Sequence, residues 1–308
     1  MKLNELSYSK ISDGTYIFAV SGGVDSVVLL DLLKKQHNIT LVIAHVDHGI
    51  RKDSGVDAMF VEELANNSGY TYETTQLFLG NDTNEDLARQ KRYEFLYRMQ
   101  KKHQAAAIIT AHHQDDMIET MFLNIMRGTK RKGIASLQST DTIIRPILHV
   151  PKRDIYNYAK AHNLQWREDS TNIDTAYARN NIRHTVVAKM DTQQRAHALA
   201  IIQNTQLLNT KIDKELRLLI TRGLHKDTLV LNRSWFCKLP HDISTEVVHM
   251  LLRRANAANI DTPTIEKVTV AIKTMLPGKV IQVSGVDIQL TKRSARFISR
   301  SQTDEKTV

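Results

Sequence analysis

The stretch "YIFAVSGGVDS" (residues 16–26) decides the fold of this chain. Its apolar first half predicts a buried strand, and the serines, glycines and aspartate that follow predict a tight turn into a helix. Such a turn has two interpretations. It is either a plain connection out of the core, or a cradle in which backbone N–H groups bind an anion at a helix N-terminus.

Strand-like and helix-like segments alternate after that stretch. Strands are predicted at 15–20, 40–46, 71–77, 105–111 and 142–148, with helical patterns near 24–36, 54–68, 84–102 and 115–127. This alternation predicts an α/β fold built on a doubly wound, Rossmann-like parallel sheet. In such sheets ligands bind at the carboxyl ends of strands, which is where "SGGVDS" lies.

The second half of the chain has a different pattern. A polar segment at 166–184 is followed by a long helical stretch near 190–222, and then by a mixture of short strands and helices. We therefore predict an α/β catalytic domain over 1–185, a long helical linker over 186–222, and a smaller α+β C-terminal domain over 223–308.

Composition limits the class of protein. The chain has 308 residues, of which 42% are apolar, and a formal net charge of +9. That charge favours nucleic acid over a membrane as a polyanionic partner. The N-terminus lacks the apolar core of a signal peptide, so we expect a cytoplasmic protein. The single cysteine, Cys237, excludes an internal disulfide and any cysteine-based metal site.

The glycine-rich turn has the composition of a phosphate site. Gly22 and Gly23 carry no Cβ atoms, so backbone N–H groups can approach an anion, and Ser21 and Ser26 add hydroxyl donors. The turn lacks the lysine of a G-K-[ST] loop, which excludes that class of nucleotide site. Asp25 has two open roles, placing Mg²⁺ or capping the helix.

Two further polar clusters follow predicted strands. "HVDHGIR" (45–51) predicts adenosine binding and support of the phosphate loop by His45 and Arg51, with zinc and plain surface polarity as alternatives. "TAHHQDDMIETMFLNIMRG" (110–128) holds several acids and two histidines where a strand enters a helix. The helix dipole explains some acids there, but Mg²⁺ with ATP, or an amine substrate, explains this density better.

Basic residues are spread over several segments. In "NEDLARQKRYEFL" (84–96), Arg89, Arg92 and Tyr93 share one helix face, which is either solvated or in contact with phosphate or a stacked base. "RGTKRKG" (127–133), "RPILHVPKR" (145–153) and "ARNNIRH" (178–184) are basic as well. Together they predict a track for an RNA backbone. Its candidate residues are Arg89, Arg92, Tyr93, Arg127, Lys130, Arg131, Lys132, Arg179, Asn180 and Arg183.

With these strings assembled, the chain resembles the bacterial tRNA(Ile)-lysidine synthetase family, part of the PP-loop superfamily of N-type ATP pyrophosphatases. The matching strings are "SGGVDS", "HVDHGIR", "EDLARQKRYEFL", "AHHQDDMIETMFLNIMRG", "RPIL" and "EDSTN…ARNNIRH". They occur in family order across roughly residues 15–185. Each string is modestly specific, and the ordered set is highly specific. The C-terminal part is similar only in its general pattern.

The resemblance implies a ligase reaction. ATP adenylates the C2 oxygen of the wobble cytidine in tRNA(Ile) with a CAU anticodon, and the ε-amine of free L-lysine then displaces AMP, giving lysidine. By motif match, ATP is bound by Ser21, Gly22, Gly23, Val24, Asp25 and Ser26, joined by His45 and Arg51. The implied catalytic residues are Asp25, Arg92, His112, Asp116 and Glu119, with Mg²⁺ at Asp25 and Asp116.

Two positions depart from the family pattern. Met117 stands where a polar residue is expected, and "RGTKRKGI" is more basic than the usual small-residue loop. A tRNA thiolase is the main alternative enzyme, but thiolation requires catalytic cysteines or a cysteine-held cluster, and this chain has one cysteine. A non-catalytic nucleotide- or RNA-binding protein is the other alternative. The oligomeric state stays open, with a homodimer as one option.

Overall fold

The computed structural model describes residues 11–47, 54–77, 85–167, 178–225, 229–257 and 260–300. The chain divides into two compact units, Met1–Thr205 and Gln206–Val308, and the division falls within one long helix. No helix among the described residues is long and apolar enough to cross a membrane. The predicted Arg51 contact with ATP lies outside the described residues.

The first unit is built on a parallel sheet. Its described strands are β1 (Gly14–Ala19), β2 (Ile39–Asp47), β3 (Thr71–Gln76), β4 (Ala107–Thr110) and β5 (Ile143–Ile144). They lie in the order β3-β2-β1-β4-β5, and every pair is parallel. The predicted fold class, a doubly wound parallel sheet, is therefore confirmed.

Helices cover both faces of this sheet. The described helices of the unit are α1 (Val24–Leu33), α2 (Ser54–Asn66), α3 (Glu85–Lys102), α4 (Gln114–Met126), α5 (Arg131–Ile134), α6 (Lys152–Ala161), α7 (Ala178–Thr185) and the start of α8 (Thr192–Thr221). Helices α1, α2 and α6 pack on the face that carries Phe18 and Ile43. Helix α3 packs through Leu96 on the opposite face, against Ile17 and Ile108. Successive side chains of a strand point to opposite faces, so each strand supplies both cores.

The strand order places the ligand-binding edge. The chain runs outward from β1 in both directions, so the topological switch point lies between β1 and β4. Ligands bind at such points, beyond the carboxyl ends of the two strands. The loop that follows β1 holds Ser21–Ser26, and the loop that follows β4 holds His112 and His113. Two of the predicted polar clusters therefore lie at the same place on the sheet.

One strand is shorter than expected, and one polar segment contains a helix that was not predicted from the sequence. Strand β5 covers only Ile143–Ile144, although a strand was expected over 142–148. Pro146 has no N–H to donate to a ladder, and the chain instead turns, with Leu148 N–H donating to Arg145 O. The expected polar segment 166–184 contains a helix, α7, whose one buried side chain, Ile182, packs with Met117 and Ile118 of α4.

The second unit is a small α+β fold, as expected. Its described strands, β6 (Val230–Asn232), β7 (Val280–Val283), β8 (Val286–Leu290) and β9 (Ser294–Ser299), form an antiparallel sheet of order β6-β9-β8-β7. Its described helices are the end of α8, α9 (Arg233–Cys237), α10 (His241–Arg254) and α11 (Thr262–Thr274). The core joins Val248 and Val268 of the helices to Ile288 and Phe297 of the sheet.

Candidate active site at the carboxyl edge of the parallel sheet

The loop between β1 and α1 adopts the close-approach geometry that its glycines permit. Gly22 has a φ of 84°, and a Cβ atom there would lie 3.3 Å from Val61 Cγ2. Glycine tolerates this conformation, whereas other residues are strained in it. Ser26 Oγ donates to Gly23 O at 2.8 Å, and Ser21 Oγ accepts from the Gly23 N–H at 3.3 Å. The loop is therefore shaped by its own hydroxyls and leads directly into α1.

Asp25 does not cap α1. The N-cap residue is Gly23, which makes no side-chain capping bond, and Asp25 lies within the first turn. Its two carboxylate oxygens instead accept from Lys152 Nζ at 2.6 and 2.7 Å. His113 Nε2 is 3.7 Å from Asp25 Oδ2. The first residue of α6 and the N-cap of α4 thus meet at this carboxylate.

His45 supports the loop from the neighbouring strand. Its ring is buried, and Nδ1 lies 2.9 Å from the carbonyl oxygen of Val20, the residue before Ser21. Burial lowers the pKa of His45, so the ring is neutral at pH 7. This contact agrees with the support role that the sequence predicted, while the predicted adenosine contact stays a prediction.

The acids after β4 are held by arginines of α7. Asp116 Oδ2 accepts from the His113 backbone N–H at 2.8 Å, and Asp116 Oδ1 accepts from Arg179 Nη2 at 2.9 Å. Glu119, whose side chain is 1% exposed, accepts from Arg179 Nε at 3.0 Å and from Arg183 Nε at 2.7 Å. Charge-assisted bonds of this kind are stronger than neutral ones, so α4 and α7 are firmly joined.

The α7 arginines therefore differ from a solvent-facing basic track. Both guanidinium groups point at acids of α4, and the Arg179 side chain is largely buried. From the sequence alone an inward-facing pair and a phosphate-binding pair look identical. Direct contact of Arg179 or Arg183 with RNA stays a prediction, and it would compete with these ion pairs.

A second group of cations surrounds Tyr93 on α3. The guanidinium carbons of Arg89 and Arg92 lie 5.3 and 5.4 Å from the centre of the Tyr93 ring, which confirms that the three residues share a face. Arg145 is buried, and its Nη1 donates to the Gln138 carbonyl oxygen. Its Nε is buried without a hydrogen-bond partner in the described part of the chain. Guanidinium groups that retain unused donors suit phosphate or a base edge.

His112 lies where these two groups meet. It precedes α4 rather than belonging to it, and its Nδ1 is 2.8 Å from Thr110 Oγ1. Burial lowers its pKa to about 3, and Arg92, Arg145 and Arg179 act in the same direction, although Asp116 opposes them. Burial acts against ionisation of Asp116 too, but His113 and Arg179 outweigh it and hold the pKa of Asp116 well below its usual range. At pH 7 the site therefore pairs a neutral imidazole with an ionised carboxylate.

We expect His112 to make the protein less stable as the pH falls. The unfolded histidine has a pKa near 6.5 and the folded one about 3, so below pH 6.5 the unfolded state binds a proton that the folded state does not. The contribution of His112 to the free energy of unfolding is fully present above that pH and is lost toward pH 3, with a slope approaching ~1.4 kcal/mol per pH unit. In urea unfolding at pH 7, 6 and 5, the free energy of unfolding of His112→Gln should fall less with decreasing pH than that of the parent chain. Equal slopes for the variant and the parent chain would contradict the assignment.

The remaining predicted basic residues lie apart from the acids. Arg127 is the C-cap of α4, and Lys130, Arg131 and Lys132 follow at the start of α5. Arg127 comes eleven positions after Asp116 along this helix, a rise of about 16 Å at 1.5 Å per residue. The structure thus brings together the residues around Asp25, Asp116 and Tyr93, and leaves the 127–132 group at the far end of α4.

The donor set fits magnesium at Asp25 better than at Asp116. Magnesium is usually held by one or two carboxylates together with phosphate oxygens and water. Both oxygens of Asp25 accept from one lysine ammonium, on a flexible side chain that can move away, whereas Asp116 accepts from a backbone N–H and from a largely buried arginine. Within the described ranges no group of three His, Cys, Asp or Glu side chains is arranged to hold a metal ion by itself.

Sequence reasoning missed three residues of the site. Lys152 and Arg145 were noted only as members of a basic segment, and His113 only as part of an acidic string. Each acts on a partner brought close by the fold: Lys152 on Asp25, Arg145 beside Tyr93, and His113 between Asp25 and Asp116. A conserved position could have pointed to them, but spacing along one chain does not.

Comparison with known proteins gives consistent results. The family model described as PP-loop domain matches residues 1–190. The tRNA(Ile)-lysidine synthase of Nitrosomonas europaea is 34% identical over 204 residues, covering 62% of this chain and 44% of that protein. The tRNA(Ile)-lysidine synthase of Thermotoga maritima is 36% identical over 191 residues, covering 58% of this chain and 46% of that protein. These matches span less than half the length of each relative.

Among solved structures, the U34-tRNA thiolase NcsA from Methanococcus maripaludis, with its 4Fe-4S cluster, has a TM-score of 0.54 at 18% identity. The alignment covers 64% of this chain and 73% of that chain. At this level of identity the likeness concerns the fold alone.

Proposed function

The chain belongs to the PP-loop domain family, and from that premise we propose that it is an ATP-dependent ligase that joins L-lysine to C2 of the wobble cytidine of tRNA(Ile) with a CAU anticodon. The products are lysidine, AMP and pyrophosphate. One observation carries this proposal: an ATP loop, an acidic helix start and a basic, aromatic helix face converge at one switch point. The names of the two relatives agree with it.

The first half-reaction is assigned to the loop and α3. Backbone and hydroxyl groups of Ser21–Ser26 bind the ATP phosphates, and Arg92 and neutral His112 flank the cytosine and the forming adenylate. A neutral imidazole can donate a hydrogen bond to the base, or accept one from it, without adding a positive charge to the site. Mg²⁺, when bound through Asp25, would neutralise charge on the phosphates. The C2 oxygen of cytosine forms a bond to the α phosphorus while the bond from that phosphorus to the α–β bridging oxygen breaks, and pyrophosphate leaves with the electron pair.

The second half-reaction is assigned to the acids of α4. The lysine ε-ammonium is a cation, and ionised Asp116 and Glu119 offset the charges of Arg179 and Arg183, so that the ammonium can bind beside Asp116. Transfer of one proton from the ε-ammonium to water frees the electron pair that forms the N–C2 bond, and AMP leaves with the electron pair of the C2–O bond. Because its pKa is held low, Asp116 positions the amine and is a weak base. Arg179 and Arg183 fix the orientation of both carboxylates.

The second unit is assigned to tRNA contact. Residues 206–308 contain 17 lysines and arginines against 10 aspartates and glutamates, so seven of the nine excess positive charges fall there. A polyanion is the partner that such an excess favours. The division into a catalytic domain (1–185), a helical linker (186–222) and a small C-terminal domain (223–308) remains part of this proposal. The α3 residues and the 127–132 group are assigned to the same tRNA, and homodimer formation is left as one option.

The thiolase alternative has less support. An iron–sulfur cluster needs several cysteine ligands, and this chain has only Cys237, which is exposed on α9 of the second unit. The likeness to the thiolase structure is one of fold and adds nothing to the chemistry.

The test is to incubate the purified chain with ATP, labelled L-lysine and tRNA(Ile) carrying the CAU anticodon, and then to digest the tRNA. We expect the label on the wobble cytidine, with one AMP and one pyrophosphate released per lysine incorporated. A tRNA(Met) with the same anticodon is the matched control for discrimination. Absence of label, together with sulfur incorporation when a sulfur donor is supplied, would overturn the proposal. Release of no pyrophosphate with cognate tRNA would contradict enzymatic function altogether.

A further inference from the structure

The phosphate loop lacks the lysine that many nucleotide loops carry, yet a lysine lies beside it in space. Lys152 Nζ is 2.6 and 2.7 Å from the two oxygens of Asp25, in the first turn of the helix that the loop opens. Lys152 comes 127 residues after Asp25 in the sequence, so no local motif contains both.

Lys152 occupies an unusual position for a cation. It is the first residue of α6, where the helix dipole favours negative side chains and disfavours positive ones. Its side chain is 28% exposed and that of Asp25 is 26% exposed, so a ligand in solution can reach both members of the ion pair. A cation kept at the positive end of a helix, beside an exchangeable partner, is better explained by an anionic ligand than by folding.

A second contact between the same two helices fixes the position of the α6 backbone that carries Lys152. Tyr158 Oη donates to Asp31 Oδ2 at 2.6 Å, and Lys35 Nζ donates to the same hydroxyl at 2.5 Å. Lys152 contacts Asp25 at the N-terminal ends of the two helices, and Tyr158 contacts Asp31 about two turns further along each. Helices α1 and α6 therefore run side by side in the same direction. Both N-termini therefore face the loop, and the Lys152 side chain moves on a fixed backbone.

We propose that Lys152 is a phosphate-binding residue for ATP, and that it moves from Asp25 to the β and γ phosphate oxygens when the nucleotide binds. The motion is a rotation about side-chain bonds, and Lys152 Nζ exchanges one set of oxygen acceptors for another. Asp25 is released at the same moment and becomes available for a cation that accompanies the nucleotide. This inference concerns ATP alone and depends on neither tRNA nor lysine.

The test measures nucleotide binding to the full chain by calorimetry, with Mg²⁺ present and no tRNA. The probes are α,β-methylene ATP, which cannot be cleaved between those phosphates, and AMP, which has no β or γ phosphate. For Lys152→Met we expect about a 10- to 100-fold loss of affinity for the ATP analogue, as for removal of one charged hydrogen bond. Affinity for AMP should stay within about twofold of the parent chain, since the lost contact lies beyond the α phosphate.

Two variants serve as controls. Lys160→Met removes a lysine from the far end of the same helix and should leave both affinities unchanged. Lys152→Arg keeps the charge and should retain most of the affinity for the ATP analogue. Equal weakening of analogue and AMP by Lys152→Met, or no weakening of either, would overturn the proposal. If Lys152→Met fails to fold, a normal analogue affinity in a folded Lys152→Gln variant would overturn it as well.

Discussion

Replacing Asp116 by asparagine should reduce lysine transfer to tRNA by at least about 100-fold while leaving tRNA affinity within a few fold. The carboxylate accepts one bond from the His113 backbone N–H and another from Arg179. An asparagine must turn its NH₂ group toward one of these donors, so one bond is replaced by a repulsive contact. The ionised charge that attracts the lysine ammonium is lost at the same time.

The measurement separates the two half-reactions. Pyrophosphate release without lysine reports adenylation, and label on the tRNA reports transfer. Because Asp116 is assigned to the amine, transfer should fall further than pyrophosphate release. A filter-binding curve for tRNA and an unfolding curve for the variant serve as controls. If activity, tRNA binding and stability all fall together, the carboxylate is structural and its proposed role in transfer is wrong.

Replacing Glu119 by alanine should lower the free energy of unfolding by about 2–4 kcal/mol. Glu119 is almost fully buried and accepts from both Arg179 and Arg183, so its removal leaves two guanidinium groups short of a counter-charge. Burial already opposes the charged form of Arg179, and Asp116 and Glu119 together outweigh it and raise the pKa of that arginine. Without Glu119, the docking of α7 on α4 loses most of its charged bonds.

Urea unfolding of the two chains at pH 7 measures this cost. Glu94→Ala is the matched control, because Glu94 also pairs with a cation, Lys91, but both side chains are about half exposed. The control should have the same free energy of unfolding as the parent chain, since exposed ion pairs contribute little to stability. A Glu119→Ala variant as stable as Glu94→Ala would show that the buried arginines are solvated in the native state.

The sequence was a good guide wherever neighbouring residues decide the structure. The apolar run before Ser21 and the glycines after it predicted a strand, a turn and a helix, and parallel strands bring their carboxyl ends to one edge. The acids after β4 were therefore expected near the loop. Their partners were not, because Arg179 lies 63 residues beyond Asp116, and Lys152 lies further still from Asp25.

The residue pattern also failed to predict the structure where the same residues are compatible with two different arrangements. A helix with arginines four residues apart, such as Arg179 and Arg183, is compatible with an RNA-facing surface and with an ion-paired interior. Only the packing of Ile182 against α4 turns these side chains inward. The strand expected over 142–148 failed for a local reason, since Pro146 ends the ladder after two residues.

The side-by-side docking of α1 and α6 also limits the order in which the nucleotide pocket can be assembled during synthesis. The loop and α1 leave the ribosome early, but the groups that hold Asp25 and Asp31 belong to residues 152–158. Closing so long a segment is entropically costly and comes late in folding. A nascent chain that ends before α6 therefore carries the loop without Lys152, and by the proposal above ATP should stabilise such a chain less than it stabilises the chain in which α6 has docked.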